Sequence, residues 1–511
     1  MLAAMERLGG LDAAFLYFET PSMHMHVCGL LILDPSTMPG GYRFARIRQM
    51  LEERHPLMPA MSRKLVFAPF KLGRPYWVKD PDFDLDYHLR RMAVPSPGGD
   101  RELADAAGEI ASRPLDRSRP LWEMWVIEGL EGGKVALFAK MHHSTIDGIS
   151  GANMMVHLFD LEPAPSSPPE IPDEPAAERI PNELELLGRA AAESFARPLD
   201  MARLIPGTVL GLGRTLVRAG RRRGQGVAAP FTAPRTSFNA AITPHRTIAF
   251  TEVPLEQVKE VKDALGVKVN DVVTAVVGGA LRRYLMDRHE LPDKPLISAV
   301  PVSVHEQAAG REGTTKVSIM FSSLMTDVYD PVERIRLIAE SNAEAKELYG
   351  MVGADTLMQW AEHAAPNTFS LAARLYSSLR LSERHPVVHN LILSNVPGPP
   401  IPLYMAGAKL AGLFPLGPIM DGAGLNATVL SNEDRIGFGF IACRELVPDL
   451  WQLAEAVPVE LAALVDAVRP KASKAAKTAK TAKAPRSTPA TASPPLRSAG
   501  ARAHSGGAEQ S

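Results

Sequence analysis

Apolar and polar positions along the chain fall into two blocks of mixed periodicity with an irregular stretch between them. In the first block, Trp122 to Glu128 and Val135 to Met141 are short apolar runs on either side of Glu131-Gly132-Gly133, which predicts two strands joined by a turn. Ile149, Ala152, Val156 and Phe159 then recur at helical spacing, predicting a helix that buries those four residues. The second block opens with Leu255, Val258, Val261 and Leu265 on one helical face, closed by Gly266 as a C-terminal cap. Asn270-Asp271 precedes a second helix whose buried face carries Val272, Val276, Ala280 and Tyr284. Strands are predicted at 296–304, 317–322, near 388–395 and within 425–442, and helices at 331–348, 366–380 and about 449–467. Strands and helices alternate in both blocks, which favours two α/β layers.

The stretch between the blocks begins Glu162-Pro163-Ala164-Pro165 and stays proline-rich through Pro175, which reads as a linker. Leu184 to Arg223 is apolar and basic, ending in Arg214, Arg218, Arg221, Arg222 and Arg223. It suits either a crossover packed on the body or an interfacial anchor. After residue 469 the chain is Lys/Ala/Thr/Pro/Ser low complexity, too poor in large apolar residues to offset its ordering entropy, and disorder is expected. The expected division is an N-terminal domain at 1–162, linker and crossover at 163–246, a C-terminal domain at 247–469 and a tail at 470–511. A length of 511 residues suits two such cores.

Composition refines this picture. Hydrophobic residues make up 46% and charged residues 22%, ordinary globular values. The net charge of -1 hides an asymmetry: the tail from Pro470 carries 5 Lys, 3 Arg and 1 Glu, leaving 48 basic against 56 acidic residues in the body. An acidic body with a basic tail argues against a nucleic-acid partner. Cys28 and Cys443 are too few for a disulfide framework, which favours a reducing, cytoplasmic setting. Met1 to Gly10 has no secretory pattern, and no apolar run reaches about 18 residues, so any lipid contact is expected to be peripheral.

The chemistry concentrates in Met141-His142-His143-Ser144-Thr145-Ile146-Asp147-Gly148. Side chains alternate across a strand, so His142 and His143 are expected to face opposite sides, one packed and one free to take a proton. Asp147-Gly148 would close a tight turn that holds the loop. The residues alone leave a plainer reading open, in which Asp147 caps the following helix and the histidines are structural. A metal site is a third reading; opposite-facing histidines and the lack of a third His or Cys nearby weigh against it.

His-His-x-x-x-Asp-Gly is similar to the motif of coenzyme A-dependent acyltransferases with the chloramphenicol acetyltransferase-like fold. The rest of the body resembles one branch, the bacterial wax ester synthase/diacylglycerol acyltransferase family. The resemblance is carried by Gly9 to Phe18 with Met25-His26-Val27, and by Arg119-Pro120-Leu121-Trp122-Glu123. It continues through Val269-Asn270-Asp271-Val272-Val273, Pro301-Val302-Ser303-Val304, Leu393 to Pro399 and Gly424 to Val429. Six such blocks in the same order exceed coincidence. The resemblance implies a mixed-sheet, two-domain α/β fold with an active-site tunnel at the domain interface. It makes His143 the general base and His142 a supporting residue, with Asp147 architectural through an ion pair to an Arg. Acyl-CoA enters as co-substrate, with no permanently bound cofactor and no metal. An imidazole can accept the acceptor hydroxyl's proton and return it to the leaving thiolate near neutral pH.

Asn270-Asp271 reads as a helix start. Ser394 and Asn395, ending an apolar strand before a Pro-Gly-Pro turn, are candidates to hold the oxyanion, or plain turn formers. The chain departs from the family pattern at Cys28, His305, Gly313-Thr314, Ser431-Asn432 and Cys443, which bears on acceptor preference and catalytic strength. Three functions follow from the resemblance. The first is acylation of diacylglycerol to triacylglycerol, with fatty alcohols as further acceptors giving wax esters. The second is acylation of a complex cell-envelope lipid or polyketide alcohol; the third is a catalytically weak lipid-binding paralogue. The expected setting is a monomer held peripherally at the inner membrane or a lipid droplet by 184–223, by the tail, or by both.

Overall fold

The two blocks build two mixed six-stranded sheets, and the computed structural model describes residues 6–145, 154–164, 182–188, 228–304, 316–349 and 366–469. The first sheet runs in the order β11 (Tyr404–Met405), β12 (Ala408–Leu416), β1 (His26–Asp34), β6 (Val135–His142), β5 (Trp122–Glu128) and β4 (Leu89–Ala93). β1 pairs antiparallel with both β12 and β6, while β4 and β5 run parallel. Residues 404–416, expected with the second block, are therefore part of the first sheet. A small antiparallel pair, β2 (Arg63–Val66) and β3 (Tyr76–Lys79), flanks it in sequence.

The second sheet runs β7 (Arg246–Pro254), β14 (Arg435–Cys443), β13 (Leu425–Asn432), β10 (Leu391–Val396), β8 (Ile297–Val304) and β9 (Lys316–Ser323). β10 is parallel to both neighbours and the other pairings are antiparallel. The two sheets meet where β14 crosses β12. A Cβ on Gly437 would stand 2.3 Å from the Leu413 carbonyl oxygen, and one on Gly439 2.0 Å from that of Pro415. Alternation sends Phe438 and Phe440 to the opposite side, into the second core. The Gly-Phe-Gly-Phe pattern thus gives one face of close backbone approach and one of aromatic packing.

The longer helices among the described residues are α1 (Gly10–Phe18), α2 (Phe44–Arg54), α3 (Asp100–Ala111), α4 (Leu255–Leu265), α5 (Val269–Asp287), α6 (Pro331–Tyr349), α7 (Pro366–Ser378) and α8 (Trp451–Val468). Gly266 closes α4 in the left-handed conformation, φ +68°, as its sequence position predicts. α5 departs from the one-faced pattern expected of it. Val273, Thr274, Val277 and Leu281 are buried alongside Val272, Val276 and Ala280, because α4, α6 and α8 all pack against it. Asn270 and Asp271 fall inside its first turn, not before it. Among the described residues after the histidine motif, 154–158 is helical, and Val156 is 72% exposed while Leu158 and Phe159 are buried. The predicted face is wrong at Val156 and Phe159 lies just beyond the helix end, while Ile149 and Ala152 lie outside the described residues.

No single described helix is long and apolar enough to cross a membrane; the α4–α5 pair is apolar together but bent by 106°, with α5 inside the core. Asp147, Gly148, residues 165–181, 189–227, His305, Gly313, Thr314 and the tail 470–511 lie outside the described residues.

Candidate active site

β6 ends at His142, and the backbone beyond it hangs from two neighbouring segments. His142 N–H donates to the Leu121 carbonyl at 3.0 Å, and His143 N–H to the Met25 carbonyl at 2.9 Å. Leu121 is fixed by the residue after it: the Trp122 indole is buried, donates to the Met61 carbonyl at 2.7 Å and stacks on His88. Met25 lies between His24 and His26 with φ +50°, a left-handed conformation that a Met side chain disfavours. That strain is retained where its carbonyl receives the His143 amide.

Ser144 and Thr145 close the turn. Thr145 donates to the His142 carbonyl from its amide at 2.9 Å and from its hydroxyl at 2.7 Å. The His142 ring accepts at Nδ1 from the Ser144 amide at 3.1 Å, with the Ser144 hydroxyl 2.7 Å away. A backbone N–H can only donate, so Nδ1 is unprotonated and the proton is assigned to Nε2. Nε2 stands 3.8 Å from Glu19, whose carboxylate accepts from Arg117 Nε at 2.7 Å. Burial, with added repulsion from Arg117 and His143, pushes the His142 pKa down to about 3. His142 is a neutral latch on the turn.

The His143 ring leaves the strand. It stacks on Phe15 of α1 with centroids 4.0 Å apart and planes 23° apart, and it is half-buried. Burial holds its pKa below the ordinary histidine value, so the ring is neutral and basic at pH 7. Nδ1 is sealed from solvent with no side-chain partner among the described residues. β6 ends at His142 and the turn begins at His143, whose amide still bonds the Met25 carbonyl beside the His26–His142 pair. Among the described residues, no group of three or more His, Cys, Asp or Glu is placed to hold a metal ion.

The second motif assembles around the start of α5. Asp271 accepts from the Lys268 amide at 2.9 Å and from the Asn342 side-chain amide at 2.9 Å. The Asn342 oxygen in turn accepts from the Ser322 hydroxyl at 2.6 Å. Asp271 therefore caps its own helix and ties it to α6 and β9. Asn270 faces the other way: its oxygen lies 3.4 Å from the side-chain nitrogen of Asn395, at the end of β10. Ser394 is half-buried, with no side-chain partner among the described residues. The structure thus joins Asn270 and Asn395, which the sequence offered separately. No hydrogen bond among the described residues links that pair to His143.

Several supporting residues carried no readable signal. Phe15 and Met25 fall within blocks that carried the family resemblance, but nothing in their spacing announces a ring stack or a strained carbonyl. Asn342 gave no signal at all. Two departures from the family pattern prove to be buried thiols. Cys28 in β1 is pushed up to about 12 by burial, which makes it a poor nucleophile. Cys443 accepts from the Thr243 amide at 3.4 Å.

The wax ester synthase/diacylglycerol acyltransferase catalytic domain model matches residues 8–273, and the C-terminal domain model of the same family matches 314–465. A Mycobacterium tuberculosis protein provisionally named a diacylglycerol O-acyltransferase is 44% identical over 465 residues, covering 91% of each chain. A second from that organism, also provisionally so named, is 34% identical over 460 residues, covering 89% of this chain and 98% of its own. Among solved structures, the wax ester synthase/diacylglycerol acyltransferase of Marinobacter aquaeolei VT8 superposes with a TM-score of 0.64 at 30% identity. That match covers 90% of this chain and 99% of that one. The first condensation domain of the calcium-dependent antibiotic synthetase, at 16% identity and a TM-score of 0.50, shares the fold.

Proposed function

The chain belongs to the wax ester synthase/diacylglycerol acyltransferase family, and from that premise we propose that it transfers a long-chain acyl group from acyl-CoA to the free hydroxyl of diacylglycerol, with fatty alcohols as further acceptors. His143 is the general base. Its Nε2 removes the hydroxyl proton as the oxygen attacks the thioester carbonyl. Collapse of the tetrahedral intermediate breaks the C–S bond, and the same proton passes from His143 to the departing thiolate. No acyl-enzyme forms, so neither buried cysteine is needed. The observation that carries this reading is the His143 ring itself: fixed at its backbone, stacked on Phe15, and kept neutral by burial.

His142 supports by closing the turn, and Asp147 is assigned to loop architecture. The developing oxyanion is assigned to donors at the end of β10, where Asn395 retains donor capacity beside Asn270 and the Ser394 hydroxyl is uncommitted. Both lipid substrate and product are insoluble in water, so the protein works at a membrane or lipid-droplet surface that it joins peripherally.

The test is incubation of the full-length protein with labelled acyl-CoA and a panel of hydroxyl acceptors: diacylglycerol, long-chain alcohols and short water-miscible alcohols. Labelled triacylglycerol as the main product is expected. Acylation confined to other alcohols would move the acceptor to a specialised class. Binding of acyl-CoA without transfer to any acceptor would make the chain a lipid-binding relative.

A further inference from the structure

Helix α7 presents its apolar side outward. Phe369, Ala373, Tyr376 and Ser377 form its half-buried side, and Phe369 meets Phe18 of α1 edge-on with centroids 4.7 Å apart. The opposite side carries Leu371, Leu375 and, just past the helix end, Leu379, which are 58%, 48% and 51% exposed. A spacing of four aligns these leucines in one row. Arg374 flanks the row and has no carboxylate partner among the described residues.

A second exposed apolar group is fixed at the other end of the same helix. The Asn367 side-chain amide donates to the Phe70 carbonyl at 2.9 Å, which holds the turn Pro69–Lys71 beside the start of α7. Phe70 is 82% exposed, and it and Lys71 have φ of +58° and +53°. Two successive non-glycine residues in the left-handed region hold a phenyl ring out into solvent. Single exposed hydrophobic residues are ordinary, but an aligned leucine row with a strained aromatic at its end marks an interaction surface.

We propose that Phe70, Leu371, Leu375 and Leu379 form a docking surface for anionic phospholipid, with Lys71 and Arg374 meeting the headgroups. Apolar side chains at the centre and uncompensated cations at the edge match such an interface. The purpose of the surface rests on the lipid-alcohol acylation proposed above. α7 packs on α1, and Phe15 of α1 stacks on His143, so the surface lies one helix away from the base.

The experiment is co-sedimentation of the full-length chain with phosphatidylcholine vesicles, with and without phosphatidylglycerol, across a salt series. Combining Leu371→Ser with Leu375→Ser is expected to lower the partition coefficient about a hundredfold, roughly tenfold per leucine, at every salt concentration. Phe70→Ser should lower it further. Lys71→Glu with Arg374→Glu should weaken only binding to anionic vesicles, and only at low salt. All variants should keep the wild-type melting temperature and the wild-type rate on a water-miscible alcohol. Wild-type sedimentation of the leucine variants would overturn the proposal. So would a change in their association state without lipid, which would make the face a contact between copies of the chain. Vesicle binding by a wild-type protein that acylates no alcohol would leave the docking surface standing and remove the catalytic reading instead.

Discussion

His142-His143 and Asn270-Asp271 are each a pair of adjacent polar residues, one at a strand end and the other at a helix start. In each pair one member is consumed by local structure while its neighbour keeps open capacity. The surroundings decide which. A helix start exposes amides that need acceptors, and Asp271 is drawn in to satisfy the Lys268 amide and then reaches Asn342. A strand end makes no such demand, and the His142 Nδ1 is satisfied two residues on by Ser144. The consumed member therefore has a different reach in the two places. Asp271 joins α5, α6 and β9, whereas His142 fastens one turn. Damage to the first pair should appear mainly in chemistry, and damage to the second mainly in stability.

The largest expected effect is at His143. His143→Ala should lower turnover by roughly 10²–10⁴-fold, the usual share of a positioned general base. The melting temperature should change little, because the ring is only half-buried and stacks on one neighbour. In the wild type, burial holds the His143 pKa below its ordinary value of about 6.5. The base form therefore persists into mild acid, and the acid limb of the kcat/KM profile should have its midpoint below pH 6.5. Steady-state rates of His143→Ala and His142→Ala across pH check both statements. An inactive His142→Ala beside an active His143→Ala would reverse the roles assigned to the pair.

Asp271→Ala should do the opposite. It removes a helix cap worth about 1 kcal/mol, and it strands the buried Asn342 amide at a cost of about 1–3 kcal/mol. The sum is a loss of about 3 kcal/mol in urea denaturation, with turnover per folded molecule changed far less than by His143→Ala. Adding Asn342→Leu should cost less than the sum of the two single losses, because the amide stranded by Asp271→Ala goes with it, although the Ser322 hydroxyl then loses its acceptor. Additive losses in the double variant would mean that the Asp271–Asn342 bond contributes nothing.

What the sequence disclosed follows the reach of the interactions involved. The β5–turn–β6 hairpin and the Gly266 cap are determined by residues within a few positions of each other, and both were legible. β12 was not, because its partner β1 comes from the opposite end of the chain, and neither was β11, a two-residue strand with no periodicity that pairs with β12. The pattern at 149–159 misplaced Val156, since it assumed one continuous helix through Phe159. At the candidate site the proton-handling residue types were plain from the motif. The Phe15 stack, the Met25 carbonyl and the meeting of Asn270 with Asn395 depend on segments that sequence adjacency does not relate.

The smallest expected effect separates the two pairs by pH. The buried His142 titrates near 3 in the folded protein, against about 6.5 when unfolded. Its folded pKa is depressed, so its contribution to stability is complete above 6.5 and is lost as pH falls toward 3. Over that window the unfolded chain holds one more proton at this position. Stability therefore falls by about 1.4 kcal/mol per pH unit on account of His142 alone. His24 and His389, each lowered to about 4 by burial, add the same sign over a narrower range. His142→Gln removes one of these protons and leaves the others. The slope of unfolding free energy between pH 6 and 4.5 should flatten by about 1.4 kcal/mol per unit, whatever the variant loses in absolute stability. Asn270→Ala changes no titrating group, and its curve should run parallel to that of the wild type. Parallel curves for His142→Gln and wild type would show that His142 is not held neutral in the fold. The latch role, and with it the division of labour between the two histidines, would then have to be abandoned.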